Sequence, residues 1–321
     1  MNLITRDQLD SWSDTPESKA NFPHLISRLI RATTAKDTKV HIPWGSATYI
    51  GGWDGIVDSK EGTRYVPKGI SLWELGTDRD PKKKADADYE KRTSDPLGYT
   101  PHDATFVFVT PRTWTKKEEW VSQRKEENIW KDVIVYDAIS LEQWLDEAPA
   151  VSRWFASQGY AGVCSSDGII TADEYWKEWS CSGELELVPD CVLAGREVAR
   201  EALIKLLEGD PSIIGVRAST KGEAIAFILA TMKASDPKLS GRFVSTTLII
   251  DREDRFRSVS SSALHALNLI VQFESTDPLG VATKNGHHVL VPLGADDVFN
   301  QELITLPAVD REALIEALEA S

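Results

Sequence analysis

Three groups in this sequence have the types and spacing for phosphate chemistry. Asp54 stands in Gly51-Gly52-Trp53-Asp54-Gly55-Ile56-Val57, and Glu74 in Gly69-Ile70-Ser71-Leu72-Trp73-Glu74-Leu75-Gly76, each where a strand should end. The basic run Lys82-Lys83-Lys84 follows at once. Carboxylates twenty residues apart on adjacent strands can share one divalent ion, Mg²⁺ or Mn²⁺, and the backbone carbonyl of Leu75 can join them as a further hard oxygen ligand. Such an ion lowers the pKa of a bound water, and a nearby lysine steadies the charge that builds on a phosphate under attack. Metal-assisted phosphodiester hydrolysis is the chemistry these residues suit. Plainer roles stay open beside it. Asp54-Gly55 is a common turn pair, Glu74 suits a structural ion pair within a sheet, and a lysine run suits a solvated helix face.

The surrounding pattern supplies elements to carry these groups. Apolar residues at Phe22, Leu25, Ile26, Leu29 and Ile30 predict a helix from Glu17 to Ala32. Short strands are expected at 39–42, 47–50, 54–58 and 70–75, and a helix from Lys82 to Thr93. A buried strand is expected over Thr105–Thr110, then a helix over 116–127, a strand over 132–136 and a helix from Ser140, as N-cap, to Phe155.

A helix, a run of strands bearing Asp and then Glu, another helix and another strand resembles the core of the PD-(D/E)XK, or restriction-endonuclease-like, nucleases over residues 15–155. The resemblance implies a mixed sheet with an αβββαβ core, Asp54 as the strand aspartate and Glu74 as the acid of the second motif. The position of the motif lysine is Gly76. In that superfamily the lysine can migrate to the following helix, which makes Lys84 the candidate and Lys82, Lys83 and Lys91 its rivals. Glu17 resembles the extra acidic ligand that some members carry on the first helix. The implied activity is a Mg²⁺-dependent endonuclease acting on DNA in preference to RNA, and the many dimers of this fold leave room for a homo-oligomer.

The second half alternates helices and strands, with strands expected at 212–216, 246–251, 267–271 and 288–292, which predicts a parallel α/β domain. Its stretch Arg217-Ala218-Ser219-Thr220-Lys221-Gly222-Glu223 occupies the place of a phosphate-binding loop between strand and helix. The lysine–glycine order is reversed, and an acid stands where a Mg²⁺-binding hydroxyl belongs. Asp251 ends a strand resembling Walker B. The domain therefore resembles a degenerate, STAND-like P-loop module. Nuclease domains joined to such modules resemble bacterial antiviral defence proteins, in which a further sensor domain or protein releases the nuclease.

All eleven tryptophans lie in the first 179 residues, and small, turn-forming residues fill 159–168, which sets a boundary between domains at 1–160 and 161–321. The net charge of −14 argues against nucleic-acid binding taken alone, but it is uneven. The first domain has 22 basic against 25 acidic residues and the second 14 against 25. Trp44, Trp53, Trp73, Tyr89, Trp114 and Trp120 are candidates for base stacking, and Arg112, Lys116 and Lys117 for phosphate contacts. No apolar run reaches the roughly 18 residues needed to cross a bilayer. With no signal-peptide core and three unpatterned cysteines, the expected location is the cytoplasm, with no membrane partner.

Overall fold

The structure, a computed structural model, describes residues 3–45, 52–160, 167–183 and 186–320. The strand expected at 47–50 and most of the 159–168 boundary stretch lie outside the described residues. The chain divides into two compact units, Met1–Val163 and Cys164–Ser321, each mixed α/β with its own mixed sheet.

In the first unit, α1 (Arg6–Trp12) and α2 (Ser18–Thr33) precede β1 (Lys39–His41), β2 (Gly55–Ser59) and β3 (Gly69–Leu75). Then come α3 (Pro81–Ser94), β4 (Ala104–Val109), α4 (Lys117–Glu126), β5 (Asp132–Tyr136), α5 (Ala138–Glu147) and α6 (Pro149–Phe155). The strands lie in chain order, β1-β2-β3-β4-β5. The first two pairings are antiparallel, whereas β3·β4 and β4·β5 are parallel, with α3 and α4 as crossovers. The helix expected over 140–155 is two helices. Pro149 starts α6, because its ring bars it from a helix interior, and the cap of α5 is Asp137, which accepts the Ser140 N–H, rather than Ser140 itself.

The period of two along β3 divides its side chains between two cores. Leu72 packs with Ala85 and Tyr89 of α3, Phe106 and Phe108 of β4, and Trp53, Trp114, Trp120 and Trp130. Trp73 faces the other way, against Tyr136 and Trp144, and gives its indole N–H to Ser71 at 2.9 Å.

The second unit contains β6 (Ile169–Thr171), α7 (Ala172–Ser180), α8 (Pro189–Leu193), α9 (Glu197–Glu208), β7 (Ile213–Arg217) and α10 (Lys221–Lys233). Next are α11 (Pro237–Thr246), β8 (Thr247–Ile250), α12 (Glu253–Ser262), β9 (Asn268–Val271), α13 (Leu279–Lys284), β10 (His288–Leu293), β11 (Glu302–Thr305) and α14 (Arg311–Ala320). Strand order is β11-β7-β10-β9-β8-β6. Five strands run parallel, and β6 corrects the all-parallel expectation by pairing antiparallel with β8 at the edge. At three residues β6 is too short to show an alternating pattern. Helix α10 is buried from Ala224 to Met232, as its unbroken apolar sequence requires. Among the described residues no helix is long and apolar enough to cross a membrane.

Phe106 is fully buried, with Tyr89 and Trp130 rings centred 5.3 and 5.6 Å away. Phe106→Ala is expected to cost about 3–5 kcal/mol, measured by denaturant unfolding followed through tryptophan fluorescence.

Candidate active site

Antiparallel pairing of β2 with β3 sets the start of one strand beside the end of the other, with Gly55 opposite Trp73. Asp54, one residue before β2, therefore reaches the far end of β3, where its Oδ2 accepts the Leu75 N–H at 2.8 Å. Glu74 shares the side-chain face of Leu72 and so points toward α3. It is 3% exposed. On α3, residues four apart lie above one another, and Lys84, Asp88 and Arg92 form one stripe along the helix.

That stripe meets the carboxylates. Arg92 donates from Nε to Glu74 Oε1 and from Nη2 to the Gly52 carbonyl, with its guanidinium carbon 4.8 Å from the centre of the Trp53 ring. Lys84 donates from Nζ to Asp88 Oδ1 at 2.8 Å. Burial, and then the charge of Asp54, pushes the Glu74 carboxyl up to about 8 despite the opposing pull of Arg92. Burial also raises Asp88, against the hydrogen bond from Lys84 and with help from the Asp54 charge. For Lys84, burial works against the ammonium, but Asp88, Glu74 and Asp54 together outweigh it and hold the pKa above the usual lysine value. Titratable groups perturbed by desolvation and specific neighbours mark a candidate functional site.

Gly76 explains how Lys84 gets there. A Cβ at Gly76 would lie 2.8 Å from Lys84 Cγ and 3.0 Å from Phe108 Cζ. The missing side chain at the motif position is the space through which the lysine stem crosses the strand end. Gly55 is filled in the same way, by Ile42 and Trp73. Both glycines thus make room for protein atoms.

Asp54, Glu74 and Asp88 offer the hard oxygen donors that suit Mg²⁺ or Mn²⁺. Asp88 Oδ2 is buried without a hydrogen-bond partner, an acceptor that a cation would satisfy. Among the described residues, however, no three His, Cys, Asp or Glu side chains stand together closely enough to hold an ion. The donor set therefore fits a divalent ion in kind, while one Glu74 oxygen is already taken by Arg92. The Leu75 N–H serves Asp54.

Other candidates lie elsewhere. Glu17 is exposed at the N-cap of α2 and makes no side-chain capping bond. Lys82 pairs with Asp86 at 2.6 Å, and Lys83 and Lys91 are exposed. Arg112 is a buried structural tie, bonded to Asp10, Asp14 and the Thr77 carbonyl, and Lys117 bonds Asp137 and Ser140. Lys116 is exposed. Of the six stacking candidates only Trp44 is at the surface, lying flat on His24 with centroids 4.1 Å apart. Asp88 and Arg92 were not among the expected site residues. Their signal is the four-residue spacing from Lys84, which gains meaning only once α3 is known to lie over Glu74.

In the second unit, the loop between β7 and α10 holds its own carboxylate. Glu223 accepts the Ser219 N–H at 3.1 Å and pairs with Arg196, and burial is outweighed by these partners to hold its pKa low. Lys221 reaches toward Asp297, at 3.6 Å. Asp251 is exposed beyond the end of β8, and β10 and β9 stand between that strand and β7.

No family model matches the sequence, and no curated protein matches it.

Because Phe108 is buried and cannot yield, Gly76→Ala should lower stability by about 1–3 kcal/mol. Adding Lys84→Ala should recover part of that loss, read from a double-mutant cycle of unfolding free energies. Glu74 sets a pH dependence. Its folded carboxyl keeps a proton that the unfolded one releases near its ordinary value of 4.5. Its contribution is therefore full below that pH and is lost as pH rises toward about 8. Stability of the wild type should fall across this window relative to Glu74→Gln, measured by urea unfolding at a series of pH values.

Proposed function

We propose that the first unit is a metal-dependent nuclease of the PD-(D/E)XK, restriction-endonuclease-like kind that hydrolyses phosphodiester bonds. The observation that carries this reading is the passage of Lys84 across Gly76 into the field of Asp54, Glu74 and Asp88. A lysine absent from the motif position is thereby supplied from α3. Element order supports the reading as well, with a helix, three strands, a helix and a parallel strand in sequence.

Asp54 and Glu74, with the Leu75 carbonyl, would hold the Mg²⁺ or Mn²⁺. When bound, the ion supplies an activated water and neutralises charge on the phosphate. Asp54 is fixed for this role by the Leu75 N–H. Lys84 is 31% exposed at its side chain, so a phosphate arriving from solvent can meet its ammonium. Of its three donors only one is committed, to Asp88. It would donate a hydrogen bond to a phosphate oxygen and stabilise the extra charge of the pentavalent phosphorus. The substrate is read as DNA in preference to RNA, and the setting as antiviral defence, with the second unit as a degenerate P-loop module; these rest on resemblance alone.

A specific observation favours a second reading, a nuclease-fold module that binds without cutting. Glu74 is closed in a buried pair with Arg92, and such a pair serves structure without any ion.

Cleavage of plasmid DNA, single-stranded DNA and RNA with Mg²⁺, Mn²⁺ or EDTA separates the two. Metal-dependent cutting is expected, abolished in Asp54→Ala and Glu74→Ala, and lowered about 10²–10³-fold in Lys84→Ala, the scale for losing one stabilising donor. Cutting by the wild type that persists in both carboxylate variants would overturn the assignment of the site. Binding without cutting would favour the second reading.

A further inference from the structure

Arg92 is an unusual neighbour for a metal ligand. Its side chain and that of Glu74 are each 5% exposed, so the pair is closed to solvent. A structural arginine whose one partner was Glu74 would be left as an uncompensated buried charge if that carboxylate turned to another cation. Arg92 is differently placed. Its Nη2 is already on the Gly52 carbonyl, and its guanidinium lies over the Trp53 ring, which itself is pinned through Nε1 to the Pro96 carbonyl at 3.3 Å. A carbonyl and an aromatic face are both favourable partners for a guanidinium. Arg92 therefore has two anchors that remain when Glu74 leaves.

The groups around it leave room for an exchange. Asp54, Glu74 and Asp88 converge with Lys84 and Arg92, Lys91 also acts on Asp88, and the buried Asp88 Oδ2 accepts no hydrogen bond. Lys84 is occupied by Asp88. A divalent ion would bring two charges to the Glu74 carboxylate, where the guanidinium spreads one over three nitrogens.

We propose that Arg92 is an internal cation competing for the metal site: it holds Glu74 out of coordination, and a divalent ion binds the first unit by exchanging with the Arg92 guanidinium at that carboxylate. This rests on the nuclease reading above. Arg92 is then a positioning residue that sets the threshold of metal occupancy without touching the substrate.

The test is Mn²⁺ binding to the full chain by titration calorimetry, for wild type, Arg92→Gln, Asp54→Asn and Glu74→Gln, with circular dichroism and melting in EDTA to verify folding. Gln at 92 ends near the place of the Arg92 Nε, so it keeps a neutral donor toward Glu74 and carries no charge. Arg92→Gln is expected to bind Mn²⁺ at least about tenfold more tightly than wild type, a factor equal to about 1.4 kcal/mol, and both carboxylate variants to lose binding. Should Arg92→Gln fail to fold, Arg92→Lys, too short to bridge Glu74 and Gly52 together, is expected to bind more tightly than wild type by a smaller factor. In the wild type itself, the Arg92 Nε–H resonance should move on titration with Mg²⁺. Binding that is unchanged or weaker in the Arg92 variants, yet still lost in Asp54→Asn and Glu74→Gln, overturns the exchange and leaves the metal site standing. Absence of Mn²⁺ binding in every protein, Arg92→Gln included, overturns the site and the exchange together.

Discussion

Carrying a carboxylate into the interior of a sheet costs on the order of several kcal/mol unless a cation meets it there, and Glu74 imposes that constraint on the first unit. The alternation of β3 fixes which face Glu74 takes, and the apolar contacts of Leu72 fix that face against α3. Helix α3 must then deliver a positive charge to one point. It does so with Arg92, whose fork spans the carboxylate and the Gly52 carbonyl. The position of Trp53 follows from the same contact, since its ring supports the guanidinium while its N–H reaches Pro96. Burial and the Asp54 charge still leave the carboxyl at about 8, so the cation offsets only part of the cost.

The two cations of α3 are not interchangeable. Arg92 is buried, planar and multiply bonded, the properties of a residue that holds a shape. Lys84 is a point charge on a flexible stem, half-buried, with its base threaded over Gly76 and its head at the edge of solvent. Under the nuclease reading, Lys84 is the one suited to follow a phosphate through a change in geometry. The eight-residue separation of Lys84 from Arg92 places them two turns apart on one stripe, with Asp88 between them to balance the lysine.

Asp54, Glu74 and Lys84 were legible because each is a charged residue out of keeping with its surroundings: an acid beside apolar strand residues, or a lysine next to a strand end with a glycine where a side chain belongs. Asp88 and Arg92 were not, because an acid and an arginine on a helix look like any solvated face until the face is known. Arg112 and Lys117 misled for the converse reason. Basic residues after a strand resemble a phosphate contact, but Asp10, Asp14 and Asp137 arrive from distant parts of the chain to bind them. The aromatic candidates fell to packing, since Trp53, Trp73, Trp114 and Trp120 are all buried in the cores that frame β3. Strands were readable where three or more apolar residues run together, as in β4, β8 and β10. Two short edge strands of the second sheet, β6 and β11, were missed.

The second unit repeats the device with the opposite sign. Open α/β sheets bind ligands beyond the carboxyl ends of their strands, and the loop after β7 is such a place. There the N-terminus of α10, a favourable setting for an anion, receives one from its own first turn in Glu223, which takes the Ser219 N–H and the Arg196 guanidinium. A phosphate would have to displace that carboxylate and also overcome its charge. At the end of β3 the internal ion is an arginine on a carboxylate, so the ligand that can displace it is a cation. After β7 the internal ion is a carboxylate on amide and guanidinium donors, so the displacing ligand is an anion, and it meets a site whose donors are already satisfied. The asymmetry between the units follows. Under the exchange proposed for Arg92, a divalent ion puts two positive charges in the place of one, whereas a phosphate in the place of Glu223 puts one anion on the Arg196 guanidinium in exchange for another.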